Sequence, residues 1–211
     1  IGVSDGTIGT GGNGSNGIRV EGGAGHTITL NRVNNSGTDG IVVLANARRT
    51  NLSSNRFLLT TLQAIDLSPD GVNPIDLDVG QTGANDQQNF PLITSAGGSD
   101  VQGEVSLNLA SANGTYKIEL YASQQCVNAN GFSNAEQRLG SVSGIVLNCA
   151  TPTSNCIKPL VIPVDNSLVG DFGLLGNFIT AIAIDEENNT SEVSACVPYV
   201  LGNIIFNDGF E

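Results

Sequence analysis

The sequence predicts an all-β protein, and three observations lead to this prediction. Residues 16–20 (Asn-Gly-Ile-Arg-Val) return as residues 39–43 and, less clearly, as residues 63–67, so the offset is 23 to 24 residues. The 211-residue chain is poor in charged and aromatic residues and rich in Gly, Asn, Ser and Thr, which favours turns and strands over helices. Its later part contains short segments of alternating apolar and polar residues between turn residues.

Residues 1–67 are predicted to be coils of a parallel β-helix. A fixed period of this length indicates a solenoid whose repeats bury their apolar faces only by stacking. Asn31 and Asn55 occupy equivalent positions in successive coils. If they face inward, they would form a hydrogen-bonded amide ladder, because neighbouring strands lie about 4.8 Å apart. One column of stacked side chains should contain Ile18, Ile41 and Ile65.

Residues 68–91 are predicted to be an extended connector rich in turn residues. They and the preceding strand contain a group of acidic residues without any Lys or Arg between them: Asp66, Asp70, Asp76, Asp78 and Asp86. Calcium accepts six to eight oxygen ligands, and loops rich in Asp, Asn and Gly supply them, although the spacing is not that of an EF-hand. We therefore consider a calcium ion that stiffens the joint, or an exposed connector that uses Asp as a turn former.

Residues 92–202 are predicted to form an antiparallel β-sandwich, and residues 203–211 a tail. The alternation predicts strands at 101–109, 115–123, 137–147, 157–164, 177–184 and 191–200. The acidic residues 185–189 are predicted to form a hairpin turn.

Four cysteines indicate an oxidising compartment. Three pairings are possible. Cys149 and Cys156 flank a loop short enough for a bridge, and Cys126 would then pair with Cys196.

Two stretches carry a resemblance to a known group of proteins. Residues 64–71 and 78–94 resemble the end of the right-handed parallel β-helix region in large bacterial surface and secreted proteins, where an immunoglobulin-like (Ig-like) β-sandwich follows. Residues 119–126 and 180–196 resemble strands of that sandwich, which supports the pairing of the cysteines at their ends. The closing residues 206–211 resemble a short C-terminal tail common on such proteins. The resemblance implies a secreted or cell-surface location.

The charge distribution excludes one class of partner. Residues 1–62 have a balance of +2 and residues 63–211 a balance of −14, within a total of −12. Nucleic acid would be repelled, because phosphate binding requires clustered Lys and Arg. No apolar run approaches the length of a membrane span. The chain begins at Ile1 without a Met, and we interpret it as a processed product or a fragment.

Catalysis is not expected. His26 is the only histidine and lies in a predicted turn without the signature of a nucleophile elbow. Arg32 and Arg56 occupy stacked positions, but Asp39 is the only acid between Glu21 and Asp66, so no group of carboxylates is expected on these coils. Asp66 and Asp70 lie at the last coil, where they could meet, but termination of the β-helix explains them equally well.

The sequence therefore favours a non-catalytic structural, adhesive or assembly module of a secreted or cell-surface bacterial protein, with a glycan or surface receptor as a further partner. Exposed strand edges should allow self-association, through the coil near Ile1 or through the tail at residues 204–206. Two alternatives are a carbohydrate-active module, either lyase-like or glycan-binding, and a subunit of an extracellular filament. Against the first, all three Tyr lie beyond residue 115 and Trp is absent, so the coils lack aromatic sugar platforms.

Overall fold

The computed structural model describes residues 12–76, 82–99, 102–126, 134–149, 156–165 and 177–201. This part of the chain is all-β, and its one helical element is the short 3-10 helix Ala84–Gln87. No helix within it has the length and apolar character needed to cross a membrane. The strands are β1 (Ile18–Val20), β2 (Gly23–Ala24), β3 (Arg32–Asn34), β4 (Ile41–Val43), β5 (Ala47–Arg48), β6 (Arg56–Leu58), β7 (Ile65–Leu67), β8 (Leu92–Gly98), β9 (Gln102–Ser111), β10 (Gly114–Ser123), β11 (Gln137–Leu147), β12 (Cys156–Asp165), β13 (Phe178–Ile184) and β14 (Val197–Leu201).

The first seven strands form three small parallel sheets, with the orders β1-β4-β7, β2-β5 and β3-β6. Their register follows the sequence repeat: Ile18 lies opposite Ile41, and Ile41 opposite Ile65. The predicted column is therefore confirmed. We call the successive repeats coils.

Because the coils stack closely, only a very small residue fits at Gly40, the position directly before Ile41. A Cβ atom added at Gly40 would lie 2.4 Å from the Ala64 carbonyl oxygen and 2.5 Å from a Phe57 ring carbon. Real Cβ atoms do not approach that closely, so glycine is required here by contact with the next coil.

The predicted amide ladder is also confirmed. Asn31 donates a hydrogen bond from Nδ2 to Oδ1 of Asn55 over 3.1 Å. Asn55 is fully buried and donates in turn to the carbonyls of Ile28 and Leu52. A buried amide is stable here because the neighbouring coil supplies its partners.

The last seven strands form one mixed sheet with the order β11-β10-β13-β14-β8-β9-β12. All its pairings are antiparallel except β14 with β8. The two end strands, β11 and β12, contact one another across a cavity of about 380 Å³, so the sheet is nearly closed around an apolar core.

The sheet is mixed and not purely antiparallel as predicted, because β14 and β8 pair in parallel, and two of its elements also differ from the sequence prediction. The first strand, β8, is not among the predicted strands, which begin at residue 101; it is rich in small residues, and only Ala96 in it is buried. The predicted strand 191–200 is reduced to β14. Ser191 and Ser194 each bind β13 through both the backbone N–H and the side-chain hydroxyl, so hydroxyls replace ladder carbonyls there.

Two disulfides join Cys126 to Cys196 and Cys149 to Cys156, which confirms the pairing favoured from the sequence. The Cα–Cα distances are 6.0 Å and 5.7 Å, within the usual range. The two bridges indicate an oxidising extracellular environment.

The coils and the seven-stranded sheet share a second apolar core. Strand β13 alternates between the two cores: Ala181 and Ala183 lie inside the sheet, whereas Ile182 and Ile184 pack with the coils. Tyr121 of β10 also belongs to the core of the coils. The outer face of β10 and β13 is therefore buried against the coils.

Candidate functional site

The outward edge of the last described coil, residues 49–67, is called the coil edge. In the preceding coil, Gly25 and Ile28 donate their backbone N–H groups to carbonyls of the next coil. Their equivalents 24 residues later are Arg49 and Leu52. These donate to Asn189 Oδ1 (2.7 Å) and Thr190 Oγ1 (2.9 Å). Side chains from the turn after β13 thus replace the hydrogen bonds of a further coil.

Asn85 replaces a whole peptide group at the coil edge. Its Oδ1 accepts from the Thr50 N–H, and its Nδ2 donates to the Thr50 carbonyl, both over 2.9 Å. The same Nδ2 donates to the carbonyl of Thr190. Asn85 is fully buried, in the 3-10 turn of the connector, with a φ of 45° that Asn tolerates better than most residues.

Glu119 of β10 binds the coil edge with a buried carboxylate. It accepts from the Ser54 N–H (2.8 Å) and from the Tyr121 hydroxyl (2.7 Å), and it pairs with Lys117 Nζ (2.6 Å) and Arg138 Nε (3.6 Å). Burial, the largest single effect, raises the pKa of Glu119, but hydrogen bonds from Lys117, Ser54 and Tyr121 together lower it. The carboxylate is therefore held in its charged form.

The remaining part of the coil edge is covered by the segment before β11. The Phe57 N–H donates to the Ala135 carbonyl over 2.9 Å, and the Thr60 N–H donates to Asn134 Oδ1 over 3.2 Å. Most of the acceptors along the edge are therefore side-chain oxygens, and the Ala135 carbonyl is a backbone acceptor.

A group of three carboxylates, called the Asp cluster, lies where the coils meet the connector. Ligand oxygens of Asp39, Asp66 and Asp70 are all within 4.8 Å of one another. Asp66 lies between two core residues of β7, Ile65 and Leu67, so its side chain points to the opposite face of the strand. Asp39 and Asp66 are buried, whereas Asp70 is exposed.

Gln63 connects the Asp cluster to the coils. Its backbone N–H donates to Asp39 Oδ1 (2.9 Å), and its Nε2 donates to Asp66 Oδ1 (3.1 Å). The other end of the same amide, Oε1, is buried and has no hydrogen-bond partner.

The five aspartates proposed as calcium ligands are distributed over several places. The structure brings Asp66 and Asp70 together. Asp76 is outside the cluster, and its backbone N–H donates to Asn89 Oδ1. Asp86 pairs with Arg48 over 3.2 Å. Asp78 lies outside the described residues.

The pKa values of the buried carboxyl groups in and beside the Asp cluster are raised. Burial and then the charge of Asp39 raise the pKa of Asp66 to about 6, and burial raises that of Asp39. Burial also raises the pKa of Glu192 to about 8, although N–H groups of Asn73 and Leu67 lower it. Glu192 accepts from both, over 3.0 Å and 3.1 Å.

The expectation that no group of carboxylates lies on the coils of Arg32 and Arg56 was wrong for Asp39, which meets Asp66 and Asp70. Asp39 and Gln63 occupy the same position in successive coils. Asp39 directly precedes Gly40, and Gln63 directly precedes the equivalent small residue, Ala64. That column places Gln63 directly above Asp39, and Asp66 follows three residues later. The repeat carries this signal, because its offset of 24 residues places Asp39 beside Gln63, whereas proximity in sequence connects only Asp66 and Asp70.

The stacked arginines are confirmed, since Arg32 lies opposite Arg56. Arg56 donates from Nε to the Glu136 carbonyl over 2.7 Å. Burial, and then the charge of Arg32, lower the pKa of Arg56. His26 lies outside the strands, and its Nε2 is 2.9 Å from the Gly22 carbonyl oxygen.

No protein-family model and no curated protein matches this chain. What the chain does is therefore inferred from the geometry of the coil edge and of the Asp cluster.

Proposed function

We propose that the chain is a non-catalytic structural, adhesive or assembly module of a secreted or cell-surface bacterial protein. In this proposal residues 1–67 are the last coils of a right-handed parallel β-helix, and residues 92–202 are an Ig-like β-sandwich that closes it. One observation carries the proposal: hydrogen-bonding groups from the connector and the seven-stranded sheet satisfy the coil edge.

An open strand edge is a template for pairing with another chain, and repeat proteins need a terminal cap that covers it. Burial of polar groups is costly unless each of them has a partner. Asn85 and Glu119 are fully buried and have partners on the coil edge. A capping role explains why such polar residues occupy an otherwise apolar interface.

The burial of the Asp cluster supports a non-catalytic role. Asp39 is 5% exposed and Asp66 is 2% exposed. Cleavage of a polysaccharide needs two carboxyl groups that both reach the glycosidic bond. A sugar chain could reach only Asp70 without displacing the surrounding residues.

Self-association through strand edges remains part of the proposal, and β12 is an unsuitable edge for it. Pro159 and Pro163 lie in β12, which pairs with β9 on one side. Proline in a sheet occupies an edge strand with its nitrogen facing away from the ladder. The free edge of β12 therefore offers no N–H at these two positions.

The capping role is tested with Asn85→Asp, which keeps the acceptor for the Thr50 N–H but removes both amide donors. We expect a loss of about 1–3 kcal/mol in the free energy of unfolding, because two buried carbonyls lose their partner. Urea denaturation measures this loss, and light scattering after size exclusion should detect association of the variant.

Asn46→Asp is the matched control, because Asn46 is exposed, in the turn before β5, and lies outside the coil edge. It should leave stability and the monomer fraction unchanged. Equal stability of the two variants, both monomeric, would contradict the capping role. Release of reducing ends from a panel of acidic and neutral polysaccharides would contradict the non-catalytic part of the proposal.

A further inference from the structure

We propose that Asp39, Asp66, Asp70 and the amide oxygen of Gln63 bind a divalent cation, with calcium as the best fit, where the last two coils meet the loop after β7. This inference goes beyond the capping role and does not depend on it.

The carboxylate oxygens converge from three separate parts of the chain. Asp39 precedes β4, Asp66 lies in β7, and Asp70 lies in the following loop. Their ligand oxygens lie within 4.8 Å of one another, so one ion could contact all three side chains after small adjustments.

The amide of Gln63 provides an independent observation. Gln63 is 8% exposed, and its Nε2 is 3.1 Å from Asp66 Oδ1, so the amide group borders the Asp cluster. Its Oε1 has no hydrogen-bond partner among the residues that the structure describes. A buried amide oxygen without a partner costs free energy. If the amide turns so that Oε1 replaces Nε2 beside the carboxylates, a cation bound there would satisfy the oxygen.

The charge of the Asp cluster is not compensated by protein cations. None of the ion pairs among the described residues involves a member of the cluster. Another buried carboxyl group is close, because Glu192 Oε1 lies 3.4 Å from Gln63 Nε2. Carboxylates that are buried together repel one another unless they are protonated or bind a cation.

The donor atoms favour calcium over other metals. They are all carboxylate or amide oxygens, which suit hard cations, whereas zinc and copper sites use His and Cys. Calcium accepts six to eight oxygens in an irregular arrangement, but magnesium requires near-ideal octahedral geometry. The exposed side of Asp70 leaves room for water to complete the coordination. The ion would tie the loop after β7 to both coils.

The test uses the full chain after removal of metals with a chelating resin. Calcium chloride is titrated into the wild type by calorimetry, and thermal unfolding is followed by circular dichroism with calcium, with magnesium and with sodium chloride of equal ionic strength. Two variants, Asp70→Asn and Asp76→Asn, each remove one charge from the connector. Asp76 is the matched control, because it lies outside the Asp cluster.

We expect one saturable calcium site and a melting temperature that rises more with calcium than with magnesium or sodium. Asp70→Asn should weaken calcium binding on the order of tenfold to a hundredfold, and Asp76→Asn should not. The proposal would be overturned by the absence of saturable binding, by equal stabilisation with all three salts, or by an equal or larger loss in Asp76→Asn. None of these results would affect the capping role, because Asn85 and Glu119 lie outside the cluster.

Discussion

At the scale of single residues, the coils depend on side chains that bind the backbone of the neighbouring coil. Asn16 Oδ1 accepts from the Asp39 N–H, and Asp39 Oδ1 accepts from the Gln63 N–H. Each coil therefore fixes the start of the next strand. Beyond Gln63, the backbone N–H of Leu67 donates to the carboxyl group of Glu192. A side chain from outside the coils thus continues the pattern.

The raised pKa of Glu192 predicts how stability depends on pH. Its pKa is about 8 in the folded protein, compared with 4.5 as its ordinary value. Between these values the folded protein holds a proton that the unfolded chain has released, so stability falls as the pH rises. The slope for this group reaches about 1.4 kcal/mol per pH unit. The raised pKa of Asp66 adds to this fall up to about pH 6.

Urea denaturation at pH 5 and pH 8 in EDTA measures this effect. The wild type should be less stable at pH 8, and the difference should be smaller in Glu192→Gln, which cannot lose the proton. An unchanged pH dependence in the variant would show that Glu192 is not the group responsible.

At the scale of elements, β10 is the strand that joins the two parts of the molecule. Ile118 and Leu120 face the core of the seven-stranded sheet, whereas Glu119 and Tyr121 face the coils. Alternation along one strand thus supplies both interfaces. A strand buried on both faces is uncommon in a sandwich with a solvated outer surface.

Substitution of Glu119, the buried carboxylate of β10, should have a large effect on the free energy of unfolding. Glu119→Gln should lower the free energy of unfolding by about 3 kcal/mol, because it leaves Lys117 and Arg138 without their buried partner. Glu104→Gln, in the exposed part of β9, should change stability by less than about 0.5 kcal/mol. Chemical denaturation of both variants tests this, and similar values would argue against a buried ion pair at the interface.

The elements also show how far the sequence could predict the structure. The stacking of β1, β4 and β7 followed from a repeat, because a fixed offset places equivalent residues on neighbouring coils. Strands β10 and β11 were predicted from the alternation of apolar and polar residues along the sequence. Strand β8 did not, because its small residues carry no apolar period. Two members of the Asp cluster, Asp66 and Asp70, were among the proposed calcium ligands. Asp39 was not, because it joins the cluster through stacking of the coils and not through proximity in sequence.

At the scale of the whole molecule, the coils and the seven-stranded sheet form one continuous packed body. Ile182, Ile184 and Val193 from the sheet region belong to the same apolar core as the coils. Polar partners surround this core along the coil edge. The residues that form the interface between the two could not be predicted, because neither part carries a periodic signal that points to the other.

The central claim is that residues outside the coils satisfy the hydrogen bonds of the coil edge. Hydrogen–deuterium exchange of individual backbone amides, resolved by NMR, tests this most directly at Thr50, Leu52 and Ser54. We predict that these amides exchange as slowly as those of β13, because they donate to Asn85, Thr190 and Glu119. Exchange as fast as that of an exposed turn would contradict the claim.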